Sequence, residues 1–304
     1  MKKRTVLALL LPLSLMLSGC FSNKAELGSE KNPVKLFFIP SVDAKVIESN
    51  SKAFKEYLEA NTPYKFEINI PQSYVAVVEA FGTKRADVAA MTTFSYLLAH
   101  DKYGAEALIT VLRHGEATYK AMFVAKAGGP IKTVADLNGK KVAFVDPAST
   151  SGYILPMKLL KSRNVVPKET VFAAKHDNVI SMVYQGQVDG GAAFYTPPGP
   201  DGKLDDARRL VLTQYPDVEK KVAIIELTDA VPNDPVIFRK ELPPEMKTKI
   251  VDALLAFVKT PEGAKAFKEI YAVTDLKKAT DADYDIVRGM LKELGKDPAE
   301  LMKK

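Results

Sequence analysis

The sequence predicts an α/β protein of two lobes, and three observations carry that expectation. Short apolar runs alternate with amphipathic stretches, as in residues 34–40, 46–61 and 64–70. Such alternation builds mainly parallel sheets covered by helices. Small hydroxyl residues stand where two apolar runs give way to helices, at Thr92-Thr93-Phe94-Ser95 and at Ser149-Thr150-Ser151. Ligands of α/β sheets sit at such carboxyl ends of strands. The chain, at 304 residues, is also long enough for two medium domains.

Taken in order, the chain opens with Lys2, Lys3 and Arg4 ahead of an apolar run over residues 6–17, which is short for a membrane span. A basic start, an apolar middle and small residues mark a secretion signal over residues 1–19. Its end, Leu17-Ser18-Gly19-Cys20, resembles a bacterial lipobox, which implies lipidation of Cys20. Cys20 is the only cysteine, so no intramolecular disulfide or paired-thiol chemistry is open to the chain. Residues 20–32 are polar and read as a tether. The expected protein is exported and lipid-anchored to a membrane, in the periplasm or on the outer face of the cell. The formal charge of +6 halves once the three basic leader residues are removed, and no basic block remains to point to nucleic acid.

The mature body begins with a strand over 34–40 and an amphipathic helix over 46–61, with Phe54, Tyr57 and Leu58 on its apolar stripe. A strand over 64–70, a helix over 73–82, a short buried strand over 87–91 and a helix over 96–103 follow. Residues 108–113 and 120–126 read as strands, and 133–137 as a short helix. A strand over 140–145 leads into a helix over 153–162, then come a strand near 171–173, a helix over 178–185 and a glycine-rich strand over 188–194. Thr196-Pro197-Pro198-Gly199-Pro200 is a loop. A strand over 222–227 precedes a mostly helical tail over 243–304. These elements divide into lobe 1 (33–117 and 223–304) and lobe 2 (118–222). Two connections between lobes make a hinge, and a cleft between lobes suits a small ligand.

The turn from Asp146 to Gly152 joins a strand to a helix through a proline, three consecutive hydroxyl residues and a glycine. A helix start leaves about four N–H groups unpaired and carries roughly half a positive charge. Small hydroxyls there add donors without blocking access, which suits a phosphate-like anion. The plainer alternative is that one of them caps the helix.

Several segments together resemble the solute-binding proteins of ABC importers for phosphonate, phosphite and phosphate. They are residues 73–80, Ala86-Asp87-Val88-Ala89, Thr118-Tyr119, residues 145–153, Lys175-His176-Asp177 and Val231-Pro232-Asn233-Asp234-Pro235. The resemblance spans essentially the whole mature chain and implies a type II periplasmic-binding-protein fold, with two parallel-rich α/β lobes on a two-segment hinge. It implies that Ser149, Thr150 and Ser151 donate to phosphorus-bound oxygens, that Tyr74 and Tyr119 line the cleft, and that His176 donates to the same oxyanion. Asp234 is implied to face the ligand from the interdomain connection. Thr92 and Thr93 at the other hydroxyl junction, and Tyr195, complete the expected ligand-binding set. Taken singly, each tyrosine reads as packing, His176 as a satisfied histidine and Asp234 as a turn cap before Pro235.

Two departures from the family pattern bear on the ligand. Residues 190–197, Gly-Gly-Ala-Ala-Phe-Tyr-Thr-Pro, hold no carboxylate where binders of 2-aminoethylphosphonate place one for the ammonium group, and Met91-Thr92-Thr93 stands where Tyr-Gly-Asn is expected. Asp234 beside an anion needs a proton or a cation between them. A monoprotonated phosphorus oxyanion supplies that proton and sulfate does not. Three histidines with no HExxH, GxSxG or P-loop motif give an enzyme little to work with. The expectation is therefore a monomeric substrate-binding lipoprotein that delivers a small phosphorus oxyanion to an ABC permease, without cofactor or metal. The alternatives are a ligand-binding sensor, or the same fold holding an organic sulfonate or a phosphorylated metabolite.

Overall fold

The computed structural model describes residues 25–200 and 202–293. The expectations for residues 1–19 and for Cys20 lie outside the described residues, as does the end of the tail.

Lobe 1 begins with β1 (Val34–Phe38), α1 (Ala44–Asn61), β2 (Phe66–Asn69), α2 (Tyr74–Gly82), β3 (Val88–Ala90), α3 (Thr93–Tyr103) and β4 (Glu106–Leu112). After a first crossing come β5 (Thr118–Lys126), β6 (Lys141–Phe144), α4 (Leu155–Ser162), β7 (Glu169–Phe172), α5 (His176–Gln185) and β8 (Gly190–Tyr195). The second lobe finishes with α6 (Val218–Lys221), β9 (Val222–Leu227) and β10 (Val231–Pro232). The chain then returns through β11 (Pro235–Phe238), α7 (Pro244–Phe257), α8 (Pro261–Tyr271), β12 (Asp275–Lys278) and α9 (Asp285–Glu293).

Each lobe is built on a six-stranded sheet. The first runs β12-β4-β11-β3-β1-β2; the second runs β10-β5-β8-β6-β7, with β9 also on β5. Parallel pairing is confined to β1 with β2 and β3, and to β6 with β7 and β8. Strands next to the crossings pair antiparallel, so both sheets are mixed. Crossover helices force parallel neighbours, whereas a chain that returns from another lobe arrives without that constraint.

α1 shows how sequence sets a lobe. The Asp43 carboxylate accepts the Lys45 N–H at 2.8 Å and starts the helix. Ile47, Ser51, Phe54 and Leu58 fall on one buried stripe. Phe54 meets Phe38, Phe257 and Phe267 edge-on at ring separations of 4.6–5.3 Å, tying α1 to β1, α7 and α8.

Two boundaries differ from the sequence reading. The return to lobe 1, expected at residue 223, falls between Pro232 and Pro235, because β9 and β10 both pair with β5. The expected tether over residues 20–32 is folded in its described part. Gly28 N–H donates to Asn32 O at 2.7 Å, and Gly28 O accepts from Lys65 at 2.7 Å. The tail also contains β12, whose single buried residue, Leu276, gave no strand pattern. It lies at the sheet edge, where charged residues guard against further pairing.

Candidate functional site

The two crossings between lobes run side by side, over residues 113–117 and 233–234, and one side chain fastens them. Arg113 is 6% exposed. Its Nη1 donates to Asn233 Oδ1 at 2.7 Å, its Nη2 to Asp234 Oδ2 at 2.9 Å and its Nε to Tyr271 O at 3.1 Å. The guanidinium lies 5.1 Å from the centre of the Tyr119 ring. Asn233 in turn donates from its backbone to Ala117 O and from Nδ2 to Glu116 O. Arg113 is thus hinge pin and cation together.

A cavity opens against this pin. Of the residues expected from sequence, Thr92, Tyr119, Ser151, His176 and Asp234 line it, joined by Arg113, Ser41, Phe194 and Tyr271, which were not expected. Arg113 closes a predicted strand, where an arginine reads as a surface cap. Only its place opposite Asn233 and Asp234, far along the chain, gives it away. Phe194 and Tyr195 show the period of two along a strand. Phe194 faces the cavity, while Tyr195 lines an adjoining hollow with Lys120 and Thr196, the two sharing Arg113 and Tyr119 as walls.

The Ser149–Ser151 turn is wound more loosely than an α-helix. Residues Thr150–Ile154 form a π-helical turn that runs into α4, and Ile154 N–H donates to Ser149 O at 3.1 Å. Ser149 Oγ accepts the Gly152 N–H at 3.1 Å, so Ser149 is the cap. Thr150 Oγ1 accepts the Phe94 N–H from lobe 1 at 2.8 Å. Ser151 lines the cavity. The three hydroxyls therefore divide their work between capping, lobe contact and the cavity. Thr93 also lies off the cavity wall; its Oγ1 donates to Pro232 O at 3.0 Å, on the second crossing.

The two hydroxyl junctions meet head to head. Thr92 Oγ1 and Ser95 Oγ both donate to Ala148 O, at 3.1 and 2.9 Å. The His176 N–H reaches Ser41 O at 3.1 Å, and Arg209 Nη2 reaches Lys268 O and Glu269 O at the end of α8. The lobes are closed on one another. Tyr74, at the start of α2, is fully buried, and its hydroxyl has no partner. Burial first, then the nearby Asp146 charge, pushes its pKa well up. Tyr74 therefore lies by the capping turn without lining the cavity. Burial likewise raises Asp146, against the Ala148 and Tyr74 backbone N–H groups that favour its charged form.

Donors dominate the polar side of the cavity. Burial, followed by the Asp234 charge, raises Tyr119 and keeps its hydroxyl protonated. His176 is pushed down to about 3 by burial and then by the Arg113 cation, so it is neutral at ordinary pH. Its Nδ1 accepts the Phe194 N–H at 3.3 Å, which puts the ring proton on Nε2. Asp234, which needed a proton or a cation beside it, has that cation in Arg113 on Oδ2. Among the described residues, its Oδ1 has only the Tyr119 hydroxyl at 3.4 Å.

The depressed His176 sets a pH dependence. Below about 6.5 the unfolded chain binds a proton that the folded chain refuses down to about 3. Stability should therefore fall as pH drops through that window. Urea midpoints measured from pH 7 to 4 should decline more steeply for the native chain than for His176→Gln. Equal slopes would mean that His176 is not held neutral.

Among the described residues, no group of His, Cys, Asp and Glu could hold a metal ion, and no helix is long and apolar enough to cross a membrane. A family profile described as "ABC transporter, phosphonate, periplasmic substrate-binding protein" matches residues 36–284. A phosphate-import protein, PhnD, of Mycolicibacterium smegmatis is 28% identical, with 84% of each chain covered. The phosphonates-binding periplasmic protein of Escherichia coli is 25% identical over 69% of this chain and 61% of its own length. In fold, the chain is similar to PhnD1 of Prochlorococcus marinus, solved with methylphosphonate (TM-score 0.73, 18% identity, 87% and 98% covered). It is also similar to a binding-protein component of a Pseudomonas aeruginosa ABC phosphonate transporter (TM-score 0.74, 18% identity, 84% of each covered).

Proposed function

The chain belongs to the periplasmic substrate-binding proteins of phosphonate ABC transporters, a family that binds and does not catalyse, and from that membership we propose that its cleft captures a small phosphorus oxyanion for delivery to a permease. The observation that carries this reading is the set of protonated, neutral donors around one cation. Ser151, the Tyr119 hydroxyl and His176 Nε2–H converge with Arg113 on one cavity beside a helix start. Neutral donors and a helix terminus hold an anion without the desolvation cost of a second buried charge.

Asp234 Oδ1 gives the site its choice among anions. It accepts the P–OH of a monoprotonated phosphonate, phosphite or phosphate, which sulfate cannot offer at neutral pH. The chain is exported, works as a monomer and is held to the membrane by lipid on Cys20. Closure requires tighter binding to the closed form than to the open one.

Calorimetry against phosphite, methylphosphonate, phosphate and sulfate tests the reading. Phosphite or methylphosphonate should bind at micromolar levels or better, and sulfate at least about 10-fold more weakly, a gap of about 1.4 kcal/mol. Asp234→Asn should narrow that gap. If none of the phosphorus anions bound at millimolar concentration, the proposed function would be wrong.

A further inference from the structure

The cavity is two-faced, and this inference rests on the function proposed above. Ser151, Tyr119 and His176, the donors, come from lobe 2. The wall opposite comes mainly from lobe 1 and is largely apolar, with Ile39, Val42, Met91, Val111 and Ile270 beside the Ser41 and Thr92 hydroxyls, and with Phe194 continuing it from lobe 2. A tetrahedral phosphorus anion presents three oxygens and one further substituent. When the oxygens turn to the donors and to Asp234, the fourth position is pressed on carbon. A hydroxyl or an ammonium resting on that carbon loses its water without gaining a partner there.

Behind that wall lies a second space, lined only by apolar residues and Tyr271. Ala90, Val111, Ile270 and Tyr271 border both spaces, and Ala90, the smallest, keeps partial exposure between them. Leu36, Phe54, Val236, Leu254 and Phe267 close the far side. The Tyr271 hydroxyl is taken up by Ile39 O at 2.9 Å, so it offers the inner space nothing polar.

We infer that the site is built for phosphonates with a short, uncharged alkyl substituent, whose first carbon rests on the Ile39–Met91–Val111 wall and whose chain passes Ala90 into the apolar space behind. An aminoalkyl chain on this path meets no partner in the rear space. Arg113 already balances Asp234, and residues 190–197 contain no acid.

The test is a calorimetric series of phosphite, methyl-, ethyl-, propyl- and 2-aminoethylphosphonate, and orthophosphate. Each carbon from methyl to propyl should hold or tighten binding, by up to about 4-fold per methylene. 2-Aminoethylphosphonate, similar in length to propylphosphonate, should bind at least about 100-fold more weakly than it, and orthophosphate about 10-fold more weakly than methylphosphonate. Leu254→Phe, which fills the rear space from α7 without touching the ligand cavity, should weaken propylphosphonate at least about 10-fold and leave phosphite unchanged. Phosphite binding reports that the variant is folded, and Val236→Ile serves as a milder filling should Leu254→Phe fold poorly. Equal affinity for propyl- and aminoethylphosphonate, or binding that weakens from methyl- to ethyl- to propylphosphonate in the native chain, would overturn the inference while leaving phosphite capture standing. Failure of phosphite itself to bind would sink the earlier reading instead.

Discussion

Arg113→Met is expected to abolish anion capture and to destabilise the fold by about 3 kcal/mol. Methionine keeps much of the length of the side chain but leaves Asp234 as an uncompensated carboxylate, with Asn233 Oδ1 and Tyr271 O each short of a donor. The loss is larger than for a surface ion pair because Arg113 is buried and serves three acceptors. Binding by calorimetry should weaken at least about 100-fold, a cationic partner and the geometry of both crossings being lost together. The double variant with Asp234→Asn should recover part of the stability, since the stranded charge is gone, but not the affinity. A single variant that binds phosphite within about 3-fold of the native chain would show that Arg113 neither charges nor shapes the site.

Gly152→Ala is expected to disable the site from the other side. A Cβ at this position would stand 2.4 Å from Val145 Cγ2, 2.5 Å from Val145 Cβ and 2.8 Å from Ser149 Oγ. Val145, directly after β6, is fully buried and cannot swing away, and Ser149 Oγ is the cap of the turn. The turn must lift off the strand, at about 1–3 kcal/mol of stability, and it carries Ser151 with it. Affinity should fall by more than about 10-fold, and the urea midpoint should fall with it. Gly289 in α9 makes the contrast, because a Cβ there meets nothing within 4 Å. Gly289→Ala should stabilise the chain by about 0.5–1 kcal/mol and leave binding alone. If Gly152→Ala behaved like Gly289→Ala, the close approach of turn to strand would have no functional weight.

These two glycines also mark how far sequence carries. Periodicity finds α1 from Phe54 and Leu58 without help, and a glycine after three hydroxyls reads as a turn. Neither the Val145 contact nor the division of labour among Ser149, Thr150 and Ser151 is local, since Thr150 is engaged by Phe94 of the other lobe. The same holds for the lobe boundary. β9 has the pattern of any half-buried strand, and which sheet receives it depends on the free edge of β5. Arg113 was illegible because its meaning lies in Asn233 and Asp234, more than a hundred residues away. Tyr195 reads as well as Phe194 in a run of Gly, Ala and aromatics, where no alternation of polar and apolar residues tells the two faces apart. Local signals named the elements and most of the chemistry. Pairings across the chain decided which side chain does which task.

The head-to-head meeting of the two hydroxyl junctions has a thermodynamic side. Phe94 with Thr150, Ser95 with Ala148, and Arg209 with the end of α8 are bonds of protein to protein, and they favour the closed shape with or without help from a ligand. The dissociation constant such a protein displays is the intrinsic one divided by the fraction of molecules able to grip. Ser95 and Arg209 act on that fraction alone. On the proposed function they work as a rheostat beside a lock: selectivity among anions would belong to the cavity, while the concentration at which the protein responds would be set partly by residues the anion never meets.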